Sequence, residues 1–140
     1  MQNHAKEVTL FLIEDDDIDA MAVKRSLQKQ KIANPLMRAY DGQQALEMLK
    51  EGLVPKPYTI LLDIQMPRMN GLEFLSELRA DEDLADSVVF ILTTSQDEQD
   101  IICSYHHHVA GYFVKNEAGA NFSDCIHMLD SYWKIVHAPT

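Results

Sequence analysis

The sequence predicts an α/β domain in which a parallel sheet carries helices on both faces, and three observations predict it. Short apolar runs alternate with helical periodicities along the chain, the pattern of strands joined by crossover helices. The third of those runs, Tyr58 to Leu62, stops on a lone carboxylate, Asp63. A charge at the end of a buried strand is costly to desolvate and usually belongs to a site. The composition agrees: 140 residues, 46% apolar and 24% charged, suit one globular domain with a sizeable core.

Val8 to Ile13 is the first apolar run and ends at Glu14-Asp15-Asp16-Asp17. Ala20, Val23 and Leu27 then recur at helical spacing, and Pro35 bars that helix from running on. Leu36 to Tyr40 reads as a short second strand. Asp41 follows as a helix N-cap, with Gln44 three residues on completing a capping box. Gly52 to Pro57 is the loop before the third strand. Beyond Asp63 comes a turn carrying Pro67, and Asn70-Gly71-Leu72-Glu73 opens a third helix with Leu72, Leu75 and Leu78 on its apolar side. Asp81-Glu82-Asp83 ends it in an acidic loop. The fourth strand, Val88 to Leu92, ends at Thr93-Thr94, and Ser95 with Glu98 reads as a capping box opening the fourth helix. Gly111 to Val114 is the fifth strand and ends at Lys115. The last helix spans about Gly119 to Val136. These five strand–helix units are expected to fill residues 1–140 as one domain, with its core at about 8–136, and no linker or second domain is expected.

The bulk properties exclude several classes. The formal net charge of −10 opposes nucleic-acid binding, which needs basic surface to neutralise phosphates, and it opposes an anionic membrane surface as well. The one basic cluster, Lys24-Arg25 with Lys29 and Lys31, reads as a solvated helix face. No apolar run approaches the roughly 20 residues of a membrane helix, and the N-terminus lacks the basic start and apolar core of a signal peptide. A cytoplasmic location is therefore expected. The two cysteines, Cys103 and Cys125, have no CxxC spacing and read as a reduced, structural pair.

In a parallel sheet the carboxyl ends of the strands share one rim, where ligands bind. Here that rim would gather Glu14, Asp15, Asp63, Thr93 and Lys115: three carboxylates, a hydroxyl and an ammonium. Three carboxylates so close repel one another, and a divalent cation neutralises them. Few, hard oxygen ligands suit Mg²⁺ (or Mn²⁺) with several waters retained. The array suits phosphoryl transfer to a carboxylate, in which a positioned nucleophile forms an acyl phosphate and the metal with Lys115 neutralises the phosphoryl oxygens.

Over about residues 8 to 136 these motifs resemble the receiver domains of response regulators. The resemblance implies a single flavodoxin-like (βα)5 domain whose five strands lie in the order 2-1-3-4-5. It implies Glu14 and Asp15 as the acidic metal pair, Asp63 as phosphoacceptor and Gln65 as a metal ligand through its backbone carbonyl. Thr93 and Tyr112 stand as the switch hydroxyl and switch aromatic, and Lys115 as the phosphate-site lysine. The implied function is a stand-alone response regulator of a two-component phosphorelay. It takes a phosphoryl group from a histidine kinase or a phosphotransfer protein, which docks on the first helix. Phosphorylation would draw Thr93 to the phosphoryl group and turn Tyr112 inward, changing the surface of helix four, strand five and helix five. The Leu12-Ile13-Glu14-Asp15-Asp16 start, the Leu92-Thr93-Thr94-Ser95 turn, the Ser104 to Val109 segment and Trp133 are similar to the small regulators that work beside bacterial phytochromes.

The chain departs from that pattern in places. Glu14 replaces the commoner Asp, and its extra methylene points to metal contact through water. Asp16 and Asp17 follow the acidic pair, so the ligand assignment can slip by one. Asn116 stands where the family usually has proline, and Gln65 and Ser95 occupy positions that tune dephosphorylation. Two other function classes compete. A haloacid-dehalogenase-type enzyme needs a second Asp two residues after the nucleophile, where this chain has Gln65. A pseudo-receiver, a binding module independent of phosphorylation, would have no need of Asp15, Asp63, Thr93 and Lys115 together. No GxGxxG opens the first helix, which removes the dinucleotide-binding reading.

The last helix is apolar over about 180°, wider than the roughly 100° stripe of a one-sided helix. Phe122, Ile126, Leu129, Trp133 and Val136 make one stripe, with Cys125, Met128, Tyr132 and Ile135 beside it. Phe122, Cys125, Met128, Tyr132 and Trp133 are the candidate interface of a homodimer. His106-His107-His108 invites a metal reading, but consecutive helical residues point about 100° apart, so a solvated helix end is expected.

Overall fold

The structure is a computed structural model and describes residues 7–66, 69–115 and 123–135, with side chains of the last segment described for 126–132. Its order is β1 (Thr9–Ile13), α1 (Asp17–Lys29), β2 (Leu36–Ala39), α2 (Gly42–Lys50), β3 (Tyr58–Leu62), α3 (Gly71–Ala80), β4 (Val88–Thr93), α4 (Glu98–His106), β5 (Gly111–Val114) and α5 (Ser123–Ile135). The five strands form one parallel sheet in the order β2-β1-β3-β4-β5, the order the receiver resemblance implies.

Every residue of β1 and β3 is buried, because helices cover both faces and neither face needs polar residues. The two-residue period of a strand divides these runs between two cores. Phe11, Ile13, Ile60, Leu62 and Ile91 pack with Leu46 and Leu49 of α2 and with Phe74, Leu75 and Leu78 of α3. Leu10, Leu12, Leu61, Phe90 and Leu92 face the other way, against Ala20, Val23 and Leu27 of α1 and Ile126 and Leu129 of α5. Helix α4 is the exception: Ser104 is its one buried residue, while Ile102 and Tyr105 are exposed. It is the helix least anchored by apolar contact.

Register fixes the rim. Ile13 pairs with Leu62, Leu62 with Ile91, and Thr93 with Val114. Glu14, Asp63, Thr93 and Lys115 therefore emerge together where the strands stop.

Local chemistry corrects several sequence expectations. Asp41 does cap α2 through the Gln44 amide at 2.8 Å, but the Gln44 side chain accepts from the Tyr40 N–H at 2.7 Å, so no closed box forms on Asp41. The fourth helix starts later than Ser95: its N-cap is Asp97, which accepts from the Gln99 N–H. Ser95 is drawn off because it is buried and its hydroxyl donates to Asp100 Oδ2 at 2.6 Å. The full capping box belongs instead to α3, between Asn70 and Glu73. Arg79 at the end of α3 acts as a clamp, donating to the carbonyls of Ala85, Ser87, His107 and His108. That ties the loop before β4 to the far end of α4. His106 closes α4 and is exposed, as a solvated helix end requires. Lys24, Arg25, Lys29 and Lys31 are all exposed, and Cys103 is free and exposed on α4 rather than structural.

The start of α3 lies hard against the end of β3. A Cβ at Gly71 would sit 2.5 Å from Ile64 Cα, 2.6 Å from Ile64 Cγ2 and 2.9 Å from the Asp63 carbonyl oxygen. These are mostly backbone atoms, which cannot step aside as a flexible side chain can. Gly71→Ala is expected to lower stability by about 1–3 kcal/mol, the range for overpacking a tight site. Thermal melts followed by circular dichroism measure it; an unchanged midpoint would contradict the close approach.

Candidate functional site

The site lies on the carboxyl rim, and four strands build it. Glu14 follows β1, Asp63 follows β3, Thr93 ends β4 and Lys115 follows β5; all four are buried. Thr93 Oγ1 donates to Asp63 Oδ1 at 2.8 Å, and the Gln65 N–H donates to the same oxygen at 3.0 Å. The other oxygen, Oδ2, lies 3.4 Å from Lys115 Nζ. Both oxygens of the carboxylate are thus aimed by donors of different kinds. Lys115 Nζ also reaches Glu14 Oε1 at 2.6 Å and Asp19 Oδ2 at 2.8 Å.

Among the described residues, one oxygen each from Glu14, Asp15 and Asp63 lies within 4.8 Å of the others. Such an acidic cluster could hold a divalent cation. Hard carboxylate oxygens in this number are the donor set of a small cation that keeps part of its water, so the residues fit the group that the sequence implies. Asp15 is exposed and Glu14 only 1% exposed; the carboxylate with the longer side chain lies on the lysine side. Asp16 and Asp17 are accounted for otherwise. Asp16 is the α1 N-cap, taking the N–H groups of Ile18 and Asp19, and Asp17 pairs with Arg38. The group of carboxylates close enough to share a cation is Glu14, Asp15 and Asp63.

The charges do not balance. Burial and then the charge of Asp63 push the Glu14 carboxyl up to about 8, with the Lys115 hydrogen bond pulling against them. Burial works against the Lys115 ammonium, yet its hydrogen bonds to Asp19 and Glu14 and the charge of Asp63 hold it above the ordinary lysine range. Burial thus favours the neutral form of both groups, and the surrounding carboxylates add to the shift of Glu14 while they overturn it for Lys115.

A hydrogen-bonded path leads away from Asp63. The Ser95 N–H donates to Thr93 Oγ1 at 3.4 Å, the Tyr112 hydroxyl donates to the Ser95 carbonyl at 3.0 Å, and the Ser95 hydroxyl reaches Asp100 in the first turn of α4. Tyr112 is half-buried, and Thr93 already touches Asp63. Thr93 and Tyr112 thus stand at the two ends of this path, with Ser95 between them. Gln65 is exposed, and its side chain takes a hydrogen bond from Thr94 at 2.6 Å.

Sequence reasoning missed Asp19. Its signal was spacing: it lies four residues after Asp15 in the first turn of α1, where a side chain points back toward the rim. Of the expected interface, Tyr132 is half-buried and packs against the core, edge-on to Phe90 at 4.9 Å between ring centroids. Met128 is 43% exposed. Phe122 lies outside the described residues, as do the side chains of Cys125 and Trp133 and residue Asn116.

Comparison with known proteins places this rim in context. The sequence matches the response regulator receiver domain over residues 10–127. It is 32% identical to the response regulator Rcp1 of Synechocystis sp. over 128 residues, covering 89% of this chain and 87% of that protein. The fold is similar to the Mn²⁺-bound form of Rcp1, with a TM-score of 0.84 at 31% identity over 95% of this chain and 99% of that one. It is similar also to the phosphorylated cyanobacterial phytochrome response regulator RcpA, with a TM-score of 0.86 at 26% identity over 96% and 100% of the two chains.

The raised Glu14 carboxyl has a measurable sign. Its proton is held by the folded state, so that stabilisation is complete below the ordinary carboxylate range and is lost as pH climbs to about 8. A cation needs the ionised form, so binding releases a proton. Mn²⁺ affinity, read by electron paramagnetic resonance, is expected to rise with pH up to about 8 and to level off above it. Glu14→Gln should flatten that slope. A wild-type affinity independent of pH in this window would contradict the protonated Glu14.

Proposed function

The chain belongs to the response regulator receiver family, and we propose that it works by accepting a phosphoryl group on Asp63 from a phosphohistidine. The donor would be a sensor histidine kinase, of the phytochrome-associated kind that the name of RcpA suggests, or a histidine phosphotransfer protein. The site would therefore work in the cytoplasm. Among the described residues no helix is long and apolar enough to cross a membrane. The observation that carries this reading is the double aim on Asp63: Thr93 on one oxygen at 2.8 Å and Lys115 on the other at 3.4 Å, beside an acidic cluster fit for a cation.

In this reading an Asp63 oxygen attacks phosphorus in line with the donor's imidazole nitrogen. The new P–O bond forms as the P–N bond breaks, and the electron pair leaves with the imidazole. Lys115 and the Thr93 hydroxyl turn to the phosphoryl oxygens, and Glu14, Asp15, Asp63 and the Gln65 carbonyl are the groups that would hold Mg²⁺. The ion supplies charge neutralisation for the attacking carboxylate and the incoming phosphoryl oxygens. Asp63 then carries more charge and strong acceptors. The Thr93–Ser95–Tyr112 path would carry that change to α4 and β5, the surface that a partner reads.

The test is an intact-mass measurement after incubation with Mg²⁺ and acetyl phosphate. The wild-type chain is expected to gain one phosphoryl group, and neither Asp63→Asn nor the metal-free protein to gain any. Thr93→Ala should still take up the group, while amide exchange over α4 no longer responds to it. A wild-type chain left unmodified by both acetyl phosphate and a kinase donor would favour the pseudo-receiver reading, a binding module independent of phosphorylation.

A second copy of the chain is the other partner considered. The exposed Met128 on α5 is what favours it among the described side chains. Sedimentation with and without phosphorylation is expected to show a dimer in at least one state; a monomer in both would remove it.

A further inference from the structure

We propose that Arg38, on the edge strand β2, is a positioning residue for the metal pocket, an inference that rests on the receiver reading above. Arg38 Nε donates to the backbone carbonyl of Glu14 at 3.0 Å, and the carbonyl of the next residue, Ala39, accepts the Glu14 N–H at 3.0 Å. Both peptide groups of Glu14 are therefore held from β2, one by the strand ladder and one by the guanidinium. The carbonyl that Arg38 holds belongs to the peptide linking Glu14 to Asp15. Fixing that plane fixes the direction in which the Asp15 Cα projects its carboxylate. Asp15 is exposed, so its aim depends on its backbone rather than on packing around its side chain.

The remaining contacts of Arg38 do not account for its placement. Its ion pair with Asp17, at 2.9 Å, involves a carboxylate that is 78% exposed, and water screens such pairs to little value. Its Nη2 nitrogen is buried without a hydrogen-bond partner, a state that disfavours the fold. What the side chain gains is rigidity: Cζ lies 4.0 Å over the centroid of the Tyr40 ring, which holds the planar fork at a fixed angle to the Glu14 carbonyl. A lysine has no such plane and no fork.

Positioning and plain electrostatics make opposite forecasts. Arg38 is a cation beside a cation site. If charge were all that mattered, removing it would leave the pocket more negative and metal would bind more tightly. If Arg38 holds the Glu14–Asp15 peptide, removing it frees Asp15 and metal binds more weakly. Loss of an outer group that orients a ligand typically weakens binding by 10–100-fold.

The experiment is a Mn²⁺ titration of wild type and Arg38→Met, read by electron paramagnetic resonance. Amide exchange at Asp15 and Asp16 is measured in the metal-free proteins, and a thermal melt confirms folding. Methionine keeps an apolar stem over Tyr40 and has neither charge nor donors. The expected result is affinity weakened roughly tenfold, with faster exchange at both amides and with phosphorylation recovered at saturating metal. Equal or tighter binding by the folded variant would overturn the role. Should Arg38→Met not fold, Arg38→Lys keeps the charge and carries the same test with the same two results. A wild-type chain that binds no Mn²⁺ would overturn the receiver reading itself and this role with it, an outcome distinct from a difference between variants.

Discussion

Lys115 is the interaction on which the rest of the site depends. One ammonium, placed by the end of β5, reaches carboxylates from the end of β1, from α1 and from the end of β3. Its bond to Glu14 spans 101 residues of sequence, and only a sheet that brings β1 and β5 to one rim can close it. Taking these charges from water is expensive, and an ion pair in a dry site recovers that cost only when its remaining donors and acceptors are satisfied. One ammonium cannot satisfy three carboxylates. Burial first, and then the charge of Asp63, raises the Glu14 carboxyl, and the residual negative charge is what would draw a divalent cation. With three carboxylates to one ammonium, the site is kept short of positive charge by its own composition.

The same rim is joined mechanically to the least anchored helix. Most helices here bury an apolar stripe, and α1, α2 and α3 each place several residues in a core. Helix α4 buries Ser104 alone and is otherwise held at its ends by polar contacts. At one end the Ser95 hydroxyl meets Asp100. At the other, Arg79 grips the carbonyls of His107 and His108. Polar contacts are directional, while burial is not. A helix held this way can take up a new angle at one end while it stays pinned at the other, at little loss of apolar contact. The path from Asp63 enters α4 at the end that Arg79 does not hold.

The fold was legible because its signals are repetitive. Buried parallel strands show as apolar runs, and each run here is followed by helical spacing, so the five units and the residues at their ends could be read directly. The four rim residues were legible for the same reason, since a strand end is a place in the sequence as well as in space. What escaped reading was decided by competition for single hydrogen bonds. Ser95 satisfies the pattern of a capping box with Glu98, but a buried hydroxyl beside Asp100 has a better acceptor, and Asp97 takes over the cap. Gln44 reaches Tyr40 in place of Asp41. Asp19 follows an acidic run at a helix start, and what singles it out is a contact in space, to Lys115 at 2.8 Å, while Asp16 caps α1 and Asp17 pairs with Arg38. Tyr132 sat in an apolar stripe wide enough to suggest an outer face, yet the large ring of Phe90 draws it inward.

The class of chemistry rests finally on what surrounds Asp63 and what does not. A hydrolase that passes through an aspartyl intermediate needs a group that can take a proton from the attacking water. At the position where a strand-end nucleophile of that type would have its acid–base partner, this chain has Gln65, whose amide cannot titrate and whose oxygen is engaged by Thr94. Lys115 is held protonated by its neighbours, so it offers charge and no base. Thr93 already donates its proton to Asp63. These groups all stabilise negative charge on or near Asp63, and none of them readily activates a water. Stabilised charge at Asp63 is what the proposed acceptance of a phosphoryl group there would use.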